Sequence, residues 1–207
     1  TVPGTVIAEG NEAPPSTIDR TELYVASSTG DRSLRVSEAV AAWGWVPNTH
    51  LLWYEPATFQ QVFGWLYAGT GDIFVVEDDG GAPKRVVDED GIWSVLHLQW
   101  DPTGQRIAYV RARRDEPYTL TVTDRSNGRI SPLLEIPYIG GDRGGPAPVP
   151  QIWWAPDGKK IYTGFTPLGP GLTSTTSPKG ISYELGKLLV LEIDVGTGTA
   201  KQLVSAP

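Results

Sequence analysis

Three copies of one short pattern constrain the fold of this chain more than any other feature of its sequence. In each copy an apolar run contains Trp-x-Pro, a tight turn follows, and a second apolar run comes after the turn. The proline has no backbone N–H, so it ends the first run where no ladder hydrogen bond is donated. The turns contain Asn, Asp or Gly, which tolerate the positive φ angles of tight hairpins. Each copy therefore predicts a β-hairpin, and the copies cover residues 43–53, 98–109 and 152–162.

A second pattern recurs four times and completes each unit. It is a run rich in β-branched, aromatic or leucine residues, followed by a turn that contains Gly and by a further short strand. Of these turns, Asn127-Gly128 carries the most specific hairpin signal. The two patterns together predict four-stranded antiparallel meanders that repeat about every 55 residues, slightly longer than a typical propeller blade. The runs lie at residues 22–26, 72–76, 118–122 and 187–191.

Such meanders bury both faces only when they stack on neighbours of the same kind. We therefore predict an all-β fold, a β-propeller of four-stranded antiparallel blades with about three and a half blades visible. An arc of this size leaves two apolar faces uncovered, so we expect it to be part of a larger ring; closure as four blades or completion by a second copy are the alternatives. Helix-like periodicity is confined to an ambiguous stretch at residues 59–67. Residues 1–207 are expected to form one partial propeller, with a half-blade at 21–37, an added inner strand at 5–8, and blades at about 39–88, 92–134 and 149–205.

The hairpins resemble a known repeat. Residues 154–162 read Trp-Ala-Pro-Asp-Gly-Lys-Lys-Ile-Tyr, and residues 100–109 read Trp-Asp-Pro-Thr-Gly-Gln-Arg-Ile-Ala-Tyr. Both are similar to the W-S-P-D-G-x-x-I motif of TolB-like (WD-type) β-propeller repeats, and the match covers most of the chain in repeating form. The first copy departs from the motif, because its turn is one residue shorter and lacks Gly, which leaves the hairpin geometry near His50 open. The resemblance implies a fold rather than a function, since such propellers serve binding proteins, peptidase accessory domains and some lyases.

The motif tryptophans have a structural interpretation. An indole at the end of an inner strand fills the space between neighbouring blades and can donate its N–H to a backbone carbonyl. We expect this role for Trp100 and Trp154.

Composition excludes several classes of function. No part of the chain approaches the roughly 18 consecutive apolar residues of a membrane span. The net charge of −7 and the scattered basic residues argue against a nucleic-acid surface, which needs a focused basic patch. The absence of Cys excludes disulfides, thiolate zinc sites and Cys nucleophiles. The absence of Met and the start at Thr1 lead us to expect a processed piece of a longer protein.

The lengths of the connections predict where a partner binds. In a meander, the strand 2–3 connections and the blade links share one rim, and the tight turns share the other. The first rim carries residues 55–71, 137–150 and 166–186, far longer than usual connections of about four to six residues, and aromatic residues are enriched at interface hot spots. The alternative for residues 55–71 is that they extend strands 2 and 3 of their own blade and bury their rings. The candidate partner-binding residues are Phe59, Phe63, Trp65, Tyr67, Arg143 and Tyr183.

No catalytic, cofactor or metal site is predicted. His50 in a turn and His97 on an inner strand facing a neighbouring blade lie too far apart for a metal site, and both are interpreted as structural. The sequence contains no G-x-S-x-G elbow, no P-loop and no G-x-G-x-x-G after a strand. The acidic runs at 77–81 and 88–91 are expected to be solvated carboxylates. The basic cluster at 111–114 is expected to form a local ion-pair network.

These observations favour a non-catalytic propeller segment that binds a protein or peptide partner through the rim of long connections. The TolB-like resemblance implies a location outside the cytoplasm, in the periplasm or at the cell surface. Two alternatives stay open, the gating propeller of a prolyl-oligopeptidase-like hydrolase and a structural component of a cell-surface assembly. Further blades from another segment, or a homo-oligomer, are the expected partners of the uncovered faces.

Overall fold

The computed structural model describes residues 5–10, 21–26, 33–61, 65–89, 95–111, 118–136, 150–166, 174–176, 182–184 and 188–206. Within these ranges all regular secondary structure is β-strand, which confirms the all-β prediction. No helix long and apolar enough to cross a membrane is found among the described residues. The chain divides into two compact units, Thr1–Ser94 and Val95–Pro207.

The first unit contains two antiparallel sheets. The first sheet is built in chain order from β1 (Thr5–Gly10), β2 (Thr21–Ala26) and β3 (Ser33–Ser37). The second sheet has the order β4 (Val40–Trp45), β5 (Leu51–Gln61), β7 (Asp72–Glu77) and β8 (Lys84–Asp88), and β6 (Trp65–Gly69) pairs with the last part of β5. The first of these is the predicted half-blade with its added strand, and the second is a four-stranded blade.

The second unit contains two further four-stranded antiparallel sheets. The third sheet consists of β9 (Val95–Trp100), β10 (Arg106–Arg111), β11 (Tyr118–Asp124) and β12 (Ile130–Ile136). The fourth sheet consists of β13 (Gln151–Trp154), β14 (Lys160–Phe165), β17 (Leu188–Asp194) and β18 (Ala200–Ala206). Two short strands, β15 (Ser174–Thr176) and β16 (Ser182–Glu184), pair with each other between β14 and β17 in the sequence.

The Trp-x-Pro hairpins form in all three copies. Gly104 and Gly158 adopt φ angles of 69° and 67° in their turns, which is the conformation the motif was expected to need. In the first copy the positive φ, 56°, falls on Asn48, one position before the place that Gly104 and Gly158 occupy in the other copies. Its turn is not shorter, since Trp45 pairs with Leu52 at the same spacing as Trp100 with Ile107. Asn enters this region at lower cost than other side chains because it can hydrogen-bond locally. The hairpin near His50 therefore closes without a glycine.

The core of the first unit lies between its two sheets. Because side chains alternate between the faces of a strand, each sheet places one apolar face there. Tyr54 stacks on Phe74, with ring centroids 5.6 Å apart, so aromatic packing adds to the aliphatic burial. The buried members are Leu23, Val25, Val40, Leu52, Tyr54 and Val76.

The core of the second unit lies between the third and fourth sheets. Complete burial of one aliphatic side chain contributes roughly 1.5–3 kcal/mol, so these residues account for most of the adhesion between the two sheets. The members from the third sheet include Ala108, Val110, Leu120 and Val122, and those from the fourth include Ile152, Ile161, Leu189, Leu191 and Ile193.

A polar network joins the tight turns of the third and fourth sheets. The carboxylate of Asp101 is fully buried, accepts from the Thr103 hydroxyl and pairs with Arg106 Nε at 3.1 Å. Arg106 donates from Nη2 to the Gly158 carbonyl at 2.6 Å and lies over the Trp154 ring, 5.1 Å from its centroid. A buried carboxylate is stable only when its oxygens are satisfied, and here the turn and the arginine satisfy them.

The outer face of the first sheet is polar. Residues 22, 24 and 35 lie on the face opposite Leu23 and Val25. The Tyr24 hydroxyl donates to Glu22 at 2.8 Å, and Arg35 lies 3.9 Å from the same carboxylate. The sequence-based expectation of an apolar uncovered face is therefore wrong for this sheet.

The outer face of the fourth sheet is mixed. Lys160 pairs with Glu192 at 2.9 Å near the middle of this face. Around the pair, three large apolar side chains are half exposed: Trp153 at 53%, Val204 at 47% and Leu188 at 44%. The corresponding face of the third sheet is apolar and covered by the fourth. The expectation of an apolar uncovered face thus holds for the fourth sheet only in part.

Candidate functional site

The connection between strands 2 and 3 of the second sheet is a β-hairpin. β5 continues well past its pairing with β7, and its last five residues pair antiparallel with β6, from Ala57 opposite Gly69 to Gln61 opposite Trp65. Of the two possibilities left open by the sequence for residues 55–71, extension of the blade's own strands describes the backbone of residues 57–61 and 65–69. We call β5 from Ala57 onward together with β6 the first inserted hairpin.

Three predicted partner-binding positions fall on one face of the first inserted hairpin. The register pairs Phe59 with Tyr67 and Gln61 with Trp65. Directly paired positions share a face, and so do positions two apart on one strand. The aromatic positions 59, 65 and 67 therefore belong to the same face of the ladder, whereas Gln60 and Leu66 belong to the other. Phe63 lies outside the described residues.

The first inserted hairpin lacks charge along its whole length. Residues 56–71 contain no Asp, Glu, Lys, Arg or His, although 20% of the chain is charged. Edge strands of soluble proteins normally carry charges that prevent pairing with other strands. Among the described residues, β6 pairs with β5 and with no other strand. An uncharged β6 is therefore an edge suited to receive another extended chain.

A buried carboxyl group lies at the base of this hairpin. Glu55, at 8% exposure, lies on β5 two residues before the hairpin, and its Oε1 accepts the backbone N–H of Gly71 at 3.0 Å. A Cβ at position 69 would overlap the same carboxyl group, so a larger residue there requires the Glu55 side chain to move. Burial raises the pKa of Glu55 to about 7, and the charge of Asp72 adds to the rise, while the bond from Gly71 opposes it.

Backbone bonds hold the hairpin base beside the carboxyl group. Ala57 N donates to Ala39 O, and Thr70 N donates to Pro56 O, both at 3.0 Å. Sequence reasoning did not single out Glu55, because a glutamate inside a β-run is normally placed on the solvent face. The signal that could have found it is the strand alternation itself, which puts Tyr54 in the core between the sheets and Glu55 on the opposite face of β5.

The fourth sheet carries an insertion at the equivalent connection. β15 and β16 pair with Thr175 opposite Tyr183, and they lie between strands 2 and 3 of their blade, as β6 does in the second sheet. We call this ladder the second inserted hairpin. The long connection at residues 166–186 thus contains two short paired strands. Tyr183 is thus on a strand, and Arg143 lies outside the described residues.

Both histidines have exposed side chains. His50 Nδ1 lies 3.2 Å from Asp78 Oδ2 at the tight-turn end of the second sheet, and the imidazole is largely exposed. His97 has a φ of 50° at an irregularity in the pairing of β9 with β10, and its side chain is also exposed. The prediction that His97 faces a neighbouring blade is therefore wrong. The described residues contain no group of three or more His, Cys, Asp or Glu side chains that could hold a metal ion.

The two acidic runs, at residues 77–81 and 88–91, differ in the solvent exposure of their carboxylates. Asp78 and Asp79 lie in the turn after β7, and Asp79 is exposed, as expected. Glu89, in the second run, is only 1% exposed, so its interpretation as a solvated carboxylate is wrong. Asp101 was not considered as a buried group, although its place in the Trp-Asp-Pro-Thr-Gly turn allows the hydroxyl of Thr103 to satisfy it.

Antiparallel blades, Trp-x-Pro hairpins and insertions at the strand 2–3 connections define a β-propeller, and solved structures of similar architecture agree. TolB from Acinetobacter baumannii matches 97% of this chain with a TM-score of 0.54 and 17% identity. Oligogalacturonate lyase from Vibrio parahaemolyticus matches 90% with a TM-score of 0.54 and 12% identity. The β-propeller domain of the Trilobed protease from Pyrococcus furiosus matches 81% with a TM-score of 0.50 and 15% identity.

These likenesses confirm a TolB-like β-propeller fold, with about three and a half blades in this chain. At such low identity they show the fold alone. The chain spans 41% of the length of the TolB structure and 43% of the lyase and of the protease domain. No family model and no curated protein matches the sequence.

Proposed function

We propose that this chain is a non-catalytic, extracytoplasmic propeller segment that binds a protein or peptide through the rim of long strand 2–3 connections. The observation that carries the proposal is the first inserted hairpin, whose aromatic positions 59, 65 and 67 share one face. The second inserted hairpin occupies the equivalent connection of its own blade and carries Tyr183. The location outside the cytoplasm rests on the resemblance to TolB-like repeats.

The edge of β6 supports a particular mode of binding. An extended peptide that pairs with an unprotected edge gains main-chain hydrogen bonds, and alternate side chains of the peptide then meet one face of the ladder. The hairpin has no charge to repel an incoming strand. The partner is therefore an extended segment with apolar or aromatic residues at alternate positions.

Paired substitutions test this mode. Panning a library of random linear peptides on the purified chain should enrich sequences with alternating apolar residues. Phe59→Ser with Tyr67→Ser should abolish the enrichment, whereas Gln60→Ser with Leu66→Ser, on the opposite face, should leave it intact. Circular dichroism and a denaturation curve check that both variants fold. Equal binding by the two pairs, or no enrichment by the parent chain, would contradict the proposal.

We also propose that residues 1–207 form part of a larger propeller ring. Their blades are the half-blade at 21–37 and the blades at about 39–88, 92–134 and 149–205. The support is the outer face of the fourth sheet, where Trp153 is 53% exposed, and the TolB structure, of which this chain spans 41%. Completion by a second copy is the alternative. Light scattering tests both possibilities. A dimer of twice the 22.4 kDa mass would support completion by a second copy, and a stable, soluble monomer would argue against a second copy and against missing blades alike.

The hydrolase alternative has one specific observation in its favour, the likeness to the propeller domain of the Trilobed protease. In that case the chain would gate access to a catalytic domain. Cleavage of fluorogenic prolyl peptides by the natural full-length protein would support it, and the absence of cleavage would leave the binding role or a structural role at the cell surface.

A further inference from the structure

At the base of the first inserted hairpin, the Glu55 side chain of β5 contacts Gly69 and Gly71; we call these three residues the latch. Glu55 lies on β5 two residues before the hairpin, and its carboxyl group accepts the backbone N–H of Gly71, two residues after β6. The carboxyl group also fills the space that a side chain at position 69 would need. One buried group thus touches the end of β6 and the residue through which the chain returns to the sheet.

The charges around this latch do not neutralise it. Asp72 follows Gly71 and lies close enough to disfavour a second negative charge. Arg85 of β8 lies 3.7 Å from Asp72 and 2.8 Å from Asp88, so its charge is shared between those two carboxylates. Among the described residues, no cation pairs with Glu55, and residues 56–71 add no charge of their own. Within the part of the chain that the structure describes, an ionised Glu55 is therefore a buried negative charge without a counterion.

We propose that Glu55 makes the seating of the first inserted hairpin depend on pH, so that acidification holds the hairpin closed and neutral or basic solution loosens its base. A neutral carboxyl group can still accept the bond from Gly71 through its carbonyl oxygen, and it costs little to bury. An ionised one gains hydration when the base opens and water reaches it. If the hairpin binds a partner, as proposed above, that binding should vary with pH, and this consequence rests on the proposed function. The opening of the hairpin base does not depend on the proposed function.

The pH window follows from the two protonation equilibria. In the closed hairpin the pKa of Glu55 is about 7, and in an open, hydrated base it returns to its ordinary value of 4.5. The closed form binds the proton more tightly than the open form. Its stability is therefore greatest below pH 4.5, falls as the pH rises from 4.5 to about 7, and levels off above about 7. Opening should become up to roughly three-hundredfold more frequent across this window.

Amide hydrogen exchange tests the latch without any partner. The protection of the Ala57, Thr70 and Gly71 amides, corrected for intrinsic exchange, should fall as the pH rises from about 4.5 to about 7. Glu55→Gln should remove this dependence, because the amide keeps an acceptor and cannot ionise. Glu77→Gln changes an exposed glutamate on β7 of the same sheet and should retain it. A flat profile in the parent chain, or an unchanged profile in Glu55→Gln, would overturn the proposal.

A second measurement keeps the test decisive if Glu55→Gln does not fold. The carboxyl carbon of Glu55, followed by NMR in the unmodified chain, should titrate near pH 7, and Asp72→Asn should lower that midpoint. A titration midpoint near 4.5, the ordinary pKa of glutamate, would contradict the proposal. Because neither measurement uses a peptide, a failure of peptide binding leaves the latch intact, and a failure of the latch leaves the binding proposal intact.

Discussion

The indole N–H of Trp154 donates to the backbone carbonyl of Gln99 at 3.1 Å, and this bond joins the first strands of two neighbouring sheets. It confirms the expected role of the motif tryptophan at this position. The face of the same indole ring also lies under the Arg106 guanidinium. Trp100 Nε1, in contrast, is buried without a hydrogen-bond partner among the described residues.

Replacing Trp154 should therefore weaken the junction between the third and fourth sheets. Trp154→Phe keeps much of the apolar contact but loses the bond to Gln99 and most of the cation–π contact, which should cost about 1–2 kcal/mol. Urea unfolding monitored by circular dichroism measures the change. Trp153→Phe is the matched control, since that indole is half exposed and should shift the midpoint little. Equal effects of the two substitutions would show that the bond contributes nothing.

Removing Asp101 should destabilise the chain more than its place in a turn suggests. The carboxylate is fully buried and satisfies Arg106 Nε together with the Thr103 hydroxyl. Asp101→Ala leaves those donors without an acceptor and should cost about 3 kcal/mol, since breaking one partner of a buried pair is expensive. Asp157→Ala changes the exposed turn of the next copy and should cost under about 1 kcal/mol. Thermal unfolding compares the two.

Gly69→Ala should destabilise the hairpin base, because the new Cβ overlaps the carboxyl group of Glu55. The expected cost is about 1–3 kcal/mol, as for other overpacked sites. Glu55→Ala removes the overlapping group, so Gly69→Ala should cost much less in that background. A double-mutant cycle measured by urea unfolding tests the coupling, and additive effects of the two changes would show that no contact exists between them.

The raised pKa of Glu55 also predicts the pH dependence of global stability. A carboxyl group that is harder to ionise in the folded chain favours folding at low pH, and this contribution is lost as the pH rises from 4.5 to about 7. Glu55→Gln should therefore stabilise the chain above pH 7 relative to the parent, by up to about 3 kcal/mol. Guanidinium unfolding at several pH values measures the difference. A Glu55→Gln variant that is less stable than the parent at high pH would contradict the assignment.

Much of the architecture could be predicted because its determinants are local. Trp, Pro and a turn residue with positive φ specify each hairpin within a few positions, and in the first copy that residue is Asn48, one position earlier than the glycine of the other copies. The strand order then follows from short connections between consecutive antiparallel strands. Extension of strands 2 and 3 at residues 55–71 was among the alternatives, but the Phe59–Tyr67 pairing was not predicted, because two strand segments must find a common register that a local pattern does not reveal.

The amino-acid sequence by itself determined the repeat, the class of fold and the absence of charge along the first inserted hairpin, since each depends on residue type and spacing alone. Only the tertiary structure decided that Glu55, Glu89 and Asp101 are buried. It also decided that the outer faces of the first and fourth sheets carry ion pairs rather than only apolar residues. The physical reason is that the environment of an ionisable group is set by the neighbours that a sheet brings to it from distant parts of the chain.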